Sequence, residues 1–390
     1  MNVRGILACI AVMCSLVLAA AAARAGDFKY AASAADAAKP PGTLLGYQPI
    51  NLPGVFRGKA WRILYATRDY RGRPVLSSGM VVRSGYASKN PAARAIVAWA
   101  HPTTGIARKC APSLMAAPIK SILGLNELVS AGYIIAATDY PGLGTDSEVG
   151  YLVGKGQANA VIDSVRAARQ IPGVGGGRDY ALWGYSQGAH AAIFGSLFSK
   201  SYAPELNLVG MAAVAPPTQL AALMQRSLNR MEGRVLASYI LGSWPRKYGL
   251  DTDALVSPAA RADIAAIDNN CVTNLADKLD ILSAQKPLKR RFLLQSPLEL
   301  PDWRTAIASN SVSSFSASVP ALVVQGGSDN VVDPKVTAQV VRSSCRNGTR
   351  LQFVYVPGAG HGGAAKAGVA QAVSWINDRF AGRPAPSNCR

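Results

Sequence analysis

Short apolar runs alternate along this chain with longer stretches in which apolar residues recur every three or four positions. Short continuous runs are typical of strands buried on both faces, whereas the periodic stretches predict helices that pack on one side. The alternation predicts the α/β class, with a mostly parallel sheet and helices on both of its faces. The predicted strands are Trp61 to Thr67, Pro74 to Arg83, Ala95 to Ala100, Tyr133 to Thr138, Tyr180 to Trp183, Leu208 to Ala215, Ala321 to Gln325 and Leu351 to Val356. The helices predicted among them are Asn159 to Arg169, Ala189 to Ser199, Lys335 to Arg342 and Ala364 to Phe380.

The stretch Thr218 to Val319 breaks this alternation because its pattern is largely helical. Its predicted helices are Leu220 to Leu228, Val235 to Leu241, Pro258 to Ile267 and Val272 to Ala284. An insertion of this length in a compact sheet predicts a subdomain rather than a loop. We therefore expect a sheet domain in two parts, 26–217 and 320–390, with a helical cap at 218–319 above its functional edge. The alanine-rich residues 26–44 are weakly patterned and predict a loosely held lead-in.

Residues 1–25 have the pattern of a secretory signal peptide. Arg4 precedes the apolar run Ile6 to Ala22, and Ala23-Arg24-Ala25 is a small-x-small cleavage site. The run is short for a membrane span, and no later segment is long enough to be one. We expect cleavage after Ala25 and a mature protein that is secreted or periplasmic.

The cysteines agree with export. Cys9 and Cys14 lie within the signal peptide, which leaves four cysteines in the mature chain. An even number in an exported protein predicts two disulfides, although spacing alone allows three pairings. With no CxxC pair and only three histidines, we expect no metal site. The four mature cysteines are Cys110, Cys271, Cys345 and Cys389.

The chain is strongly basic, with 41 Lys and Arg against 22 Asp and Glu and a net charge of +19. Loss of Arg4 and Arg24 with the signal leaves +17 (19 − 2). Such a charge predicts attraction to anionic membranes or cell-envelope polymers. No helix-turn-helix, RRM or zinc pattern accompanies it, so we expect no nucleic-acid partner. We expect the densest basic cluster, Lys286 to Arg291, to be a solvated face.

The pentapeptide Gly184-Tyr185-Ser186-Gln187-Gly188 reads Gly-x-Ser-x-Gly and lies between a predicted strand and a predicted helix. In that setting a sharp turn exposes the serine hydroxyl, and the glycines let the strand and the helix pass closely. The pattern predicts Ser186 as a catalytic nucleophile.

A serine hydroxyl needs a base to take its proton, and in hydrolases of this type the acid and then the histidine follow the serine along the chain. His101 precedes Ser186, and His190 lies on the following helix, where we expect a packing or solvated role. His361 lies downstream in a glycine-rich loop after a predicted strand. We therefore expect His361 to be the base.

Two acids compete to orient that base. Asp333 precedes Pro334 and a predicted helix, so it has a structural explanation as an N-cap. Asp329 has no such explanation and lies directly after the predicted strand Ala321 to Gln325. We assign Asp329 to the role and keep Asp333 as the alternative.

The attack of a serine on a carbonyl also requires donors for the oxyanion. One is normally the amide of the residue after the nucleophile, here Gln187, and the other comes from the loop after an earlier strand. That loop is His101-Pro102-Thr103-Thr104-Gly105. Pro102 has no N–H, so Thr103 or Thr104 is the better candidate.

Several of these segments resemble the secretory lipases related to Candida antarctica lipase A. They are the loop 101–105, Cys110-Ala111-Pro112-Ser113, the nucleophile motif continued to His190, and the segment 201–210. Asp329 and His361 also fall at the family's acid and base positions.

The resemblance implies an α/β-hydrolase fold with a helical cap, hydrolysis of carboxylic esters including acylglycerols, and no metal or organic cofactor. It also implies the pairings Cys110–Cys271 and Cys345–Cys389, and it places the first oxyanion residue near Thr104. The chain departs from the fungal enzyme there, since that residue is an aspartate in the latter. It also departs at Gln187, which replaces a glycine.

These departures put the acyl-chain preference in doubt, so a short-chain or polyester esterase remains the alternative to a long-chain lipase. A serine peptidase on the same fold is less expected, because no propeller or charged site for a peptide terminus is evident. A hydrolase-like binding protein without activity is disfavoured by the complete and correctly ordered set of Ser186, Asp329 and His361.

Overall fold

The computed structural model describes residues 29–52, 56–88, 93–228, 230–272 and 292–389. Its centre is a nine-stranded sheet with the strand order β1-β2-β3-β5-β4-β6-β7-β8-β9. The first three strands are antiparallel, and the strands from β5 to β9 in that order run parallel. The prediction of a mostly parallel α/β sheet is confirmed. The strands are β1 Leu44–Ile50, β2 Gly58–Arg68, β3 Pro74–Ser84, β4 Arg94–Ala100, β5 Ile134–Thr138, β6 Gly176–Tyr185, β7 Asn207–Val214, β8 Ala321–Gly326 and β9 Leu351–Val356.

The central strands are buried on both faces, as their continuous apolar runs require. Alternate residues of β4 enter two separate cores, with Ile96 and Ala98 in one and Val97 and Trp99 in the other. Burial of each large apolar side chain stabilises the fold by about 1.5–3 kcal/mol. The carboxyl ends of the parallel strands lie along one edge of the sheet, where ligand sites of α/β sheets gather.

Ten α-helices are described, and several of them cover the two faces of the sheet. The helices α3 and α4 line the first core, and α10 lines the second through Val373, Trp375 and Ile376. The helices are α1 Ala34–Ala38, α2 Leu125–Ser130, α3 Gly154–Ala168, α4 Gln187–Tyr202, α5 Leu220–Ser227, α6 Met231–Tyr248, α7 Pro258–Asp268, α8 Pro301–Ser309, α9 Pro334–Arg346 and α10 His361–Phe380.

The expectation of a loosely held lead-in is wrong for the part of it that is described. Ser33 begins α1 with a reciprocal capping box to Asp36. The Arg68 guanidinium donates to the carbonyls of residues 37, 38 and 39, and the Tyr30 hydroxyl lies 2.9 Å from Ser113 Oγ. These polar bonds, rather than an apolar pattern, attach the segment to the sheet.

Four helices, α5 to α8, lie between β7 and β8. They have a core of their own, in which the rings of Trp244 and Trp303 stack with centroids 6.3 Å apart and Ile267 is fully buried. The predicted helix Val235 to Leu241 is part of the longer α6. The predicted helix after Val272, the basic cluster Lys286 to Arg291 and the signal peptide lie outside the described residues.

Two disulfides join distant parts of the chain. Cys110 pairs with Cys271, which ties the loop after β4 to the segment after α7, and Cys345 pairs with Cys389, which ties the last turn of α9 to the tail. These are the pairs that the family resemblance implied. Over the described ranges, no helix combines the length and apolar character needed to cross a bilayer.

Candidate active site

Ser186 lies at the turn between β6 and α4. Its backbone has φ 54° and ψ −120°, a conformation that costs free energy for a residue with a side chain and is typical of strained functional positions. A side chain on Gly184 would collide with the backbone of Gly188, and one on Gly188 with the carbonyl of Ala100. The two glycines therefore allow the close passage of strand and helix that presents the Ser186 hydroxyl.

His361 lies beside this hydroxyl. It follows β9 and is the first residue of α10, so it does not lie in a loop as we expected, because the helix begins three residues earlier than predicted. Its Nε2 is 3.0 Å from Ser186 Oγ, and its Nδ1 is 2.8 Å from Asp329 Oδ2. The ring also packs against Tyr185, with centroids 5.0 Å apart.

The Asp329 carboxylate is buried and held by several donors. Oδ1 accepts from the amides of Val331 and Val332, both at 2.9 Å, and Oδ2 accepts from Gln325 Nε2 at 3.1 Å as well as from His361. A carboxylate only accepts, so this contact places the proton on His361 Nδ1 and leaves Nε2 to accept from Ser186. The three side chains therefore form a continuous chain of two hydrogen bonds.

Asp333 is occupied elsewhere. Its Oδ1 accepts from the amide of Lys335 at the start of α9, and its Oδ2 lies 3.0 Å from Arg226. The structure thus brings Asp329, and not Asp333, to His361.

The other two histidines are buried in polar contacts away from the serine. Both ring nitrogens of His101 face carbonyls, those of Pro102 at 2.6 Å and Asp139 at 3.2 Å, and burial lowers the pKa of His101 to about 4. His190 Nε2 lies 2.9 Å from the carbonyl of Asn310, and burial likewise lowers its pKa to about 4.

The loop after β4 is held rigidly. The Thr104 carbonyl accepts from Val272 N at 2.8 Å, next to the Cys110–Cys271 disulfide. Gly105 has φ +117°, and a side chain there would press on Cys110 Sγ. Thr103 Oγ1 is 2.9 Å from the hydroxyl of Tyr151, whereas Thr104 Oγ1 is buried without a hydrogen-bond partner. A buried hydroxyl without a partner costs about 1–3 kcal/mol of stability.

Gln187 is the first residue of α4, so its amide lies at the helix N-terminus, where the helix dipole favours negative charge. Its side-chain Oε1 is buried without a partner. The sequence predicted a role for its backbone amide. It could not predict that the side-chain oxygen is buried without a partner, because that burial depends on how α4 packs beside the loop after β4.

A buried acid, Asp139, lies behind the loop 101–105. Asp139, after β5, accepts from Ser78 Oγ at 2.7 Å and from the amide of Ser113 at 2.9 Å, and its own carbonyl faces His101. Burial raises the pKa of Asp139 to about 6 against these hydrogen bonds, which lower it. Sequence reasoning noted only that Asp139 begins a tight loop, because its serine partners lie at least 26 residues away.

An apolar cleft of about 50 Å³ opens beside Ser186. It is walled by helices α5 and α6 and by the loop after β8. Leu152, which also lines it, has a backbone φ of 52°. The apolar side chains along it are Leu152, Leu220, Leu223, Met224, Leu236, Ala237, Ile240, Val331 and Val332. Within the described ranges, no group of three or more His, Cys, Asp or Glu side chains could hold a metal ion.

Comparison with known proteins identifies the family. Residues 118–388 match the model of the family described as "Secretory lipase". "Lipase 6" of Candida albicans is 24% identical over 93% of this chain and 82% of its own length. "Secreted triacylglycerol lipase LIP2" of Malassezia globosa is 23% identical over 90% of this chain and 80% of its own.

Solved structures share the fold. Candida antarctica lipase A superposes with a TM-score of 0.79 at 17% identity, over 92% of this chain and 86% of its own. The rice cell wall degrading esterase LipA from Xanthomonas oryzae superposes with a TM-score of 0.70 at 20% identity, over 88% and 99%. Since the family model spans well over half of the chain, this protein belongs to the secretory lipase family.

Proposed function

We propose that this protein is a secreted serine hydrolase of carboxylic esters, in which Ser186 is the nucleophile, His361 the general base and Asp329 the acid that orients the base. The observation that carries the proposal is the pair of hydrogen bonds from Ser186 Oγ to His361 at 3.0 Å and from His361 to Asp329 at 2.8 Å. Both distances are within the range that proton transfer requires.

In the first half of the reaction Ser186 Oγ attacks the ester carbonyl while its proton passes to His361 Nε2. The bond to the alcohol oxygen then breaks, and the alcohol leaves with that proton. Asp329 holds the imidazole in the required tautomer and stabilises the imidazolium that forms. Water repeats the sequence on the acyl-enzyme, which releases the carboxylic acid and restores the serine hydroxyl.

The oxyanion of each tetrahedral intermediate is stabilised by the amides of Gln187 and Thr104, with Thr103 as the alternative to the latter. Two observations favour Thr104. Its backbone is anchored through Val272, and its hydroxyl is buried without a partner, so it can rotate to donate once the oxyanion forms.

The acyl chain lies in the apolar cleft under the helical cap, which we assign to residues 218–319. The cleft walls are aliphatic and close to Ser186, which suits an acyl group rather than a sugar or a peptide. Its small volume of about 50 Å³ keeps the short-chain esterase as the alternative to a long-chain lipase. The basic surface favours adsorption of the enzyme to anionic lipid interfaces.

A series of p-nitrophenyl esters from acetate to palmitate, assayed with and without an oil–water interface, tests this function. We expect hydrolysis across part of the series that is abolished by Ser186→Ala. A maximum at butyrate or shorter, unmoved by the interface, would favour the esterase. Absence of hydrolysis with every ester would overturn the proposal in favour of an inactive binding protein.

A further inference from the structure

Strained backbone conformations cluster at the carboxyl edge of the sheet. Over the described parts of the chain, four residues other than glycine have a φ in the left-handed region, which residues with side chains adopt only at a cost in free energy. All four lie in the segments that follow β5, β6 and β7, and they are Tyr140, Leu152, Ser186 and Ala215. Ser186 is the proposed nucleophile, and Leu152 lines the apolar cleft. Tyr140, at φ 68°, is buried and takes no direct part in the reaction.

Tyr140 holds His101, the first residue of the loop 101–105. The Tyr140 hydroxyl donates to the His101 carbonyl at 3.0 Å, and the two rings lie against each other with centroids 4.4 Å apart. The carbonyl of the preceding residue, Asp139, faces His101 Nε2 at 3.2 Å. Both side chains of the ring pair are buried. Two consecutive residues after β5 therefore fix the backbone and the ring of His101.

The left-handed conformation of Tyr140 belongs to a turn that is bonded on both sides. Its amide donates to Thr138 Oγ1 at 3.1 Å, and its carbonyl accepts from the Leu143 amide at 3.2 Å. Burial of a tyrosine does not by itself require this conformation, since the equally buried Tyr65 occupies an ordinary position in β2. We therefore connect the strain at Tyr140 with its contact to His101.

The His101 carbonyl also borders the helix that follows the nucleophile. A Cβ on Gly188 would lie 2.8 Å from this oxygen, closer than real side chains come. Gly188 directly follows Gln187, whose amide at the start of α4 is one of the two proposed oxyanion donors. The His101 carbonyl therefore lies between the Tyr140 hydroxyl and the residue next to one donor, and it begins the loop that carries the other donor, Thr104.

We propose that Tyr140 is a positioning residue for the oxyanion hole. By fixing the His101 carbonyl beside α4, it sets the spacing between the Thr104 donor and the Gln187 amide. The inference rests on the ester hydrolase function proposed above, because the oxyanion forms only in that reaction. Donors of this kind act when they lie about 2.7–3.1 Å from the place that the charged oxygen will occupy, so a small shift of the loop lowers the rate more than the affinity for substrate. Without the phenol, the buried His101 carbonyl loses its donor, and the loop shifts to find it another.

The test is Tyr140→Phe, which keeps the ring and removes the hydroxyl. Its matched control is Tyr70→Phe, because the Tyr70 hydroxyl likewise donates to a backbone carbonyl, that of Lys247 at 2.8 Å. Two quantities are measured: the kinetics on p-nitrophenyl butyrate and the Ki of trifluoromethyl butyl ketone. Ser186 Oγ adds to the carbonyl carbon of this ketone while its proton passes to His361, so the bound form carries an oxyanion. We expect Tyr140→Phe to lower kcat roughly 10-fold or more, to raise Ki by the same factor and to keep KM within about two-fold.

Tyr70→Phe should lower the melting temperature by a similar amount and leave kcat and Ki within about two-fold of the wild type. A second variant, Tyr140→Leu, also removes the ring from His101 and should lower kcat further, again with little change in KM. Unchanged kcat and Ki in Tyr140→Phe would mean that Tyr140 only stabilises the fold, and would overturn the inference. A loss of kcat without any rise in the Ki of the ketone would overturn it as well, because a misplaced donor weakens both. If the wild type hydrolyses no ester, the proposed function fails instead.

Discussion

The two sides of Ser186 differ in how they are built. On the β7 and β8 side, the apolar cleft is walled by the packed side chains of α5 and α6. On the β4 side, the loop 101–105 is held by the nearby Cys110–Cys271 disulfide, by the hydrogen bond from Val272 N to the Thr104 carbonyl and by the hydrogen bonds around Asp139. Aliphatic side chains in a packed wall can be replaced by others of similar volume. A loop held by a disulfide and by hydrogen bonds keeps a fixed position.

This difference assigns two properties of an ester hydrolase to different parts of the chain. The acyl preference should depend on the cleft residues that follow β7 and β8, and the stabilisation of the oxyanion on the loop 101–105. Changes at Ser186, His361 and Asp329 should affect every ester, because these residues lie between the two sides. The predictions below separate these classes of effect.

The largest effect should come from the residues common to both sides. His361→Ala should lower kcat by on the order of 10⁴-fold for short and long acyl esters alike, as removal of a triad base does elsewhere. Asp329→Asn should cost less but still heavily, because the imidazole loses its tautomer control. Steady-state kinetics on acetate and palmitate esters provide the measurement. Asp333→Asn is the control and should be nearly neutral; the reverse order of the two acids would show that the acid is misassigned.

Thr104→Val should lower kcat by roughly 10- to 100-fold with KM little changed, because it removes the buried hydroxyl and keeps the backbone amide. The valine should not lower the melting temperature, since the hydroxyl it replaces has no partner in the free enzyme. Thr103→Val, which loses a hydroxyl already bonded to Tyr151, is the matched control. Unchanged kcat in Thr104→Val would mean that only the amide contributes.

On the cleft side, Ala237→Leu should shorten the preferred acyl chain. Ala237 is a small, buried residue of α6 in the cleft wall, so a larger side chain fills space that a longer acyl group needs. We expect kcat/KM to fall roughly 10-fold for octanoate and to stay within about two-fold for acetate. Ala262→Phe, at an exposed position of α7, controls for general effects of a larger side chain on the helices between β7 and β8. A chain-length profile that does not move would contradict the assignment of this cleft to the acyl group.

The last effect should be on stability rather than on activity, and it should arise on the β4 side. Burial raises the pKa of Asp139 to about 6, above that of an unfolded aspartate, so the folded state binds this proton more tightly. Its contribution to stability is therefore fully present below about pH 4 and is lost as pH rises through about 6.

Asp139→Asn removes this titration. The difference in free energy of unfolding between the variant and the wild type should shift by about 2–3 kcal/mol in favour of the variant from pH 4 to pH 8. Urea unfolding at both pH values measures the shift. A difference that is independent of pH would show that Asp139 does not retain its proton in the fold.

The elements that sequence could predict are those with a strong local pattern. The buried parallel strands and the turn at Ser186 follow from continuous apolar runs and from two glycines that tight packing demands. Strand β1 was missed, because an edge strand is buried through few residues and this one contains Gly46 and Pro49. Asp329 was separable from Asp333 because the N-cap pattern has a local signature.

The remaining features depend on tertiary structure. The Thr104 hydroxyl is buried without a partner because segments distant in sequence, β4, α4 and the segment after α7, pack around it. No local sequence pattern predicts such packing. Hydrophobic periodicity reports which residues are buried, but not which surfaces are concave.

The central claim, that Ser186 is the nucleophile, is tested most directly by covalent labelling with a p-nitrophenyl alkylphosphonate, which transfers its phosphonyl group to an activated serine and releases p-nitrophenol. Mass spectrometry of the digested protein should find one label per chain, on the peptide that contains Ser186. Labelling should be absent in Ser186→Ala, strongly slowed in His361→Ala and close to normal in Asp333→Asn. Stoichiometric label on any other residue, or undiminished labelling of Ser186→Ala, would contradict the account.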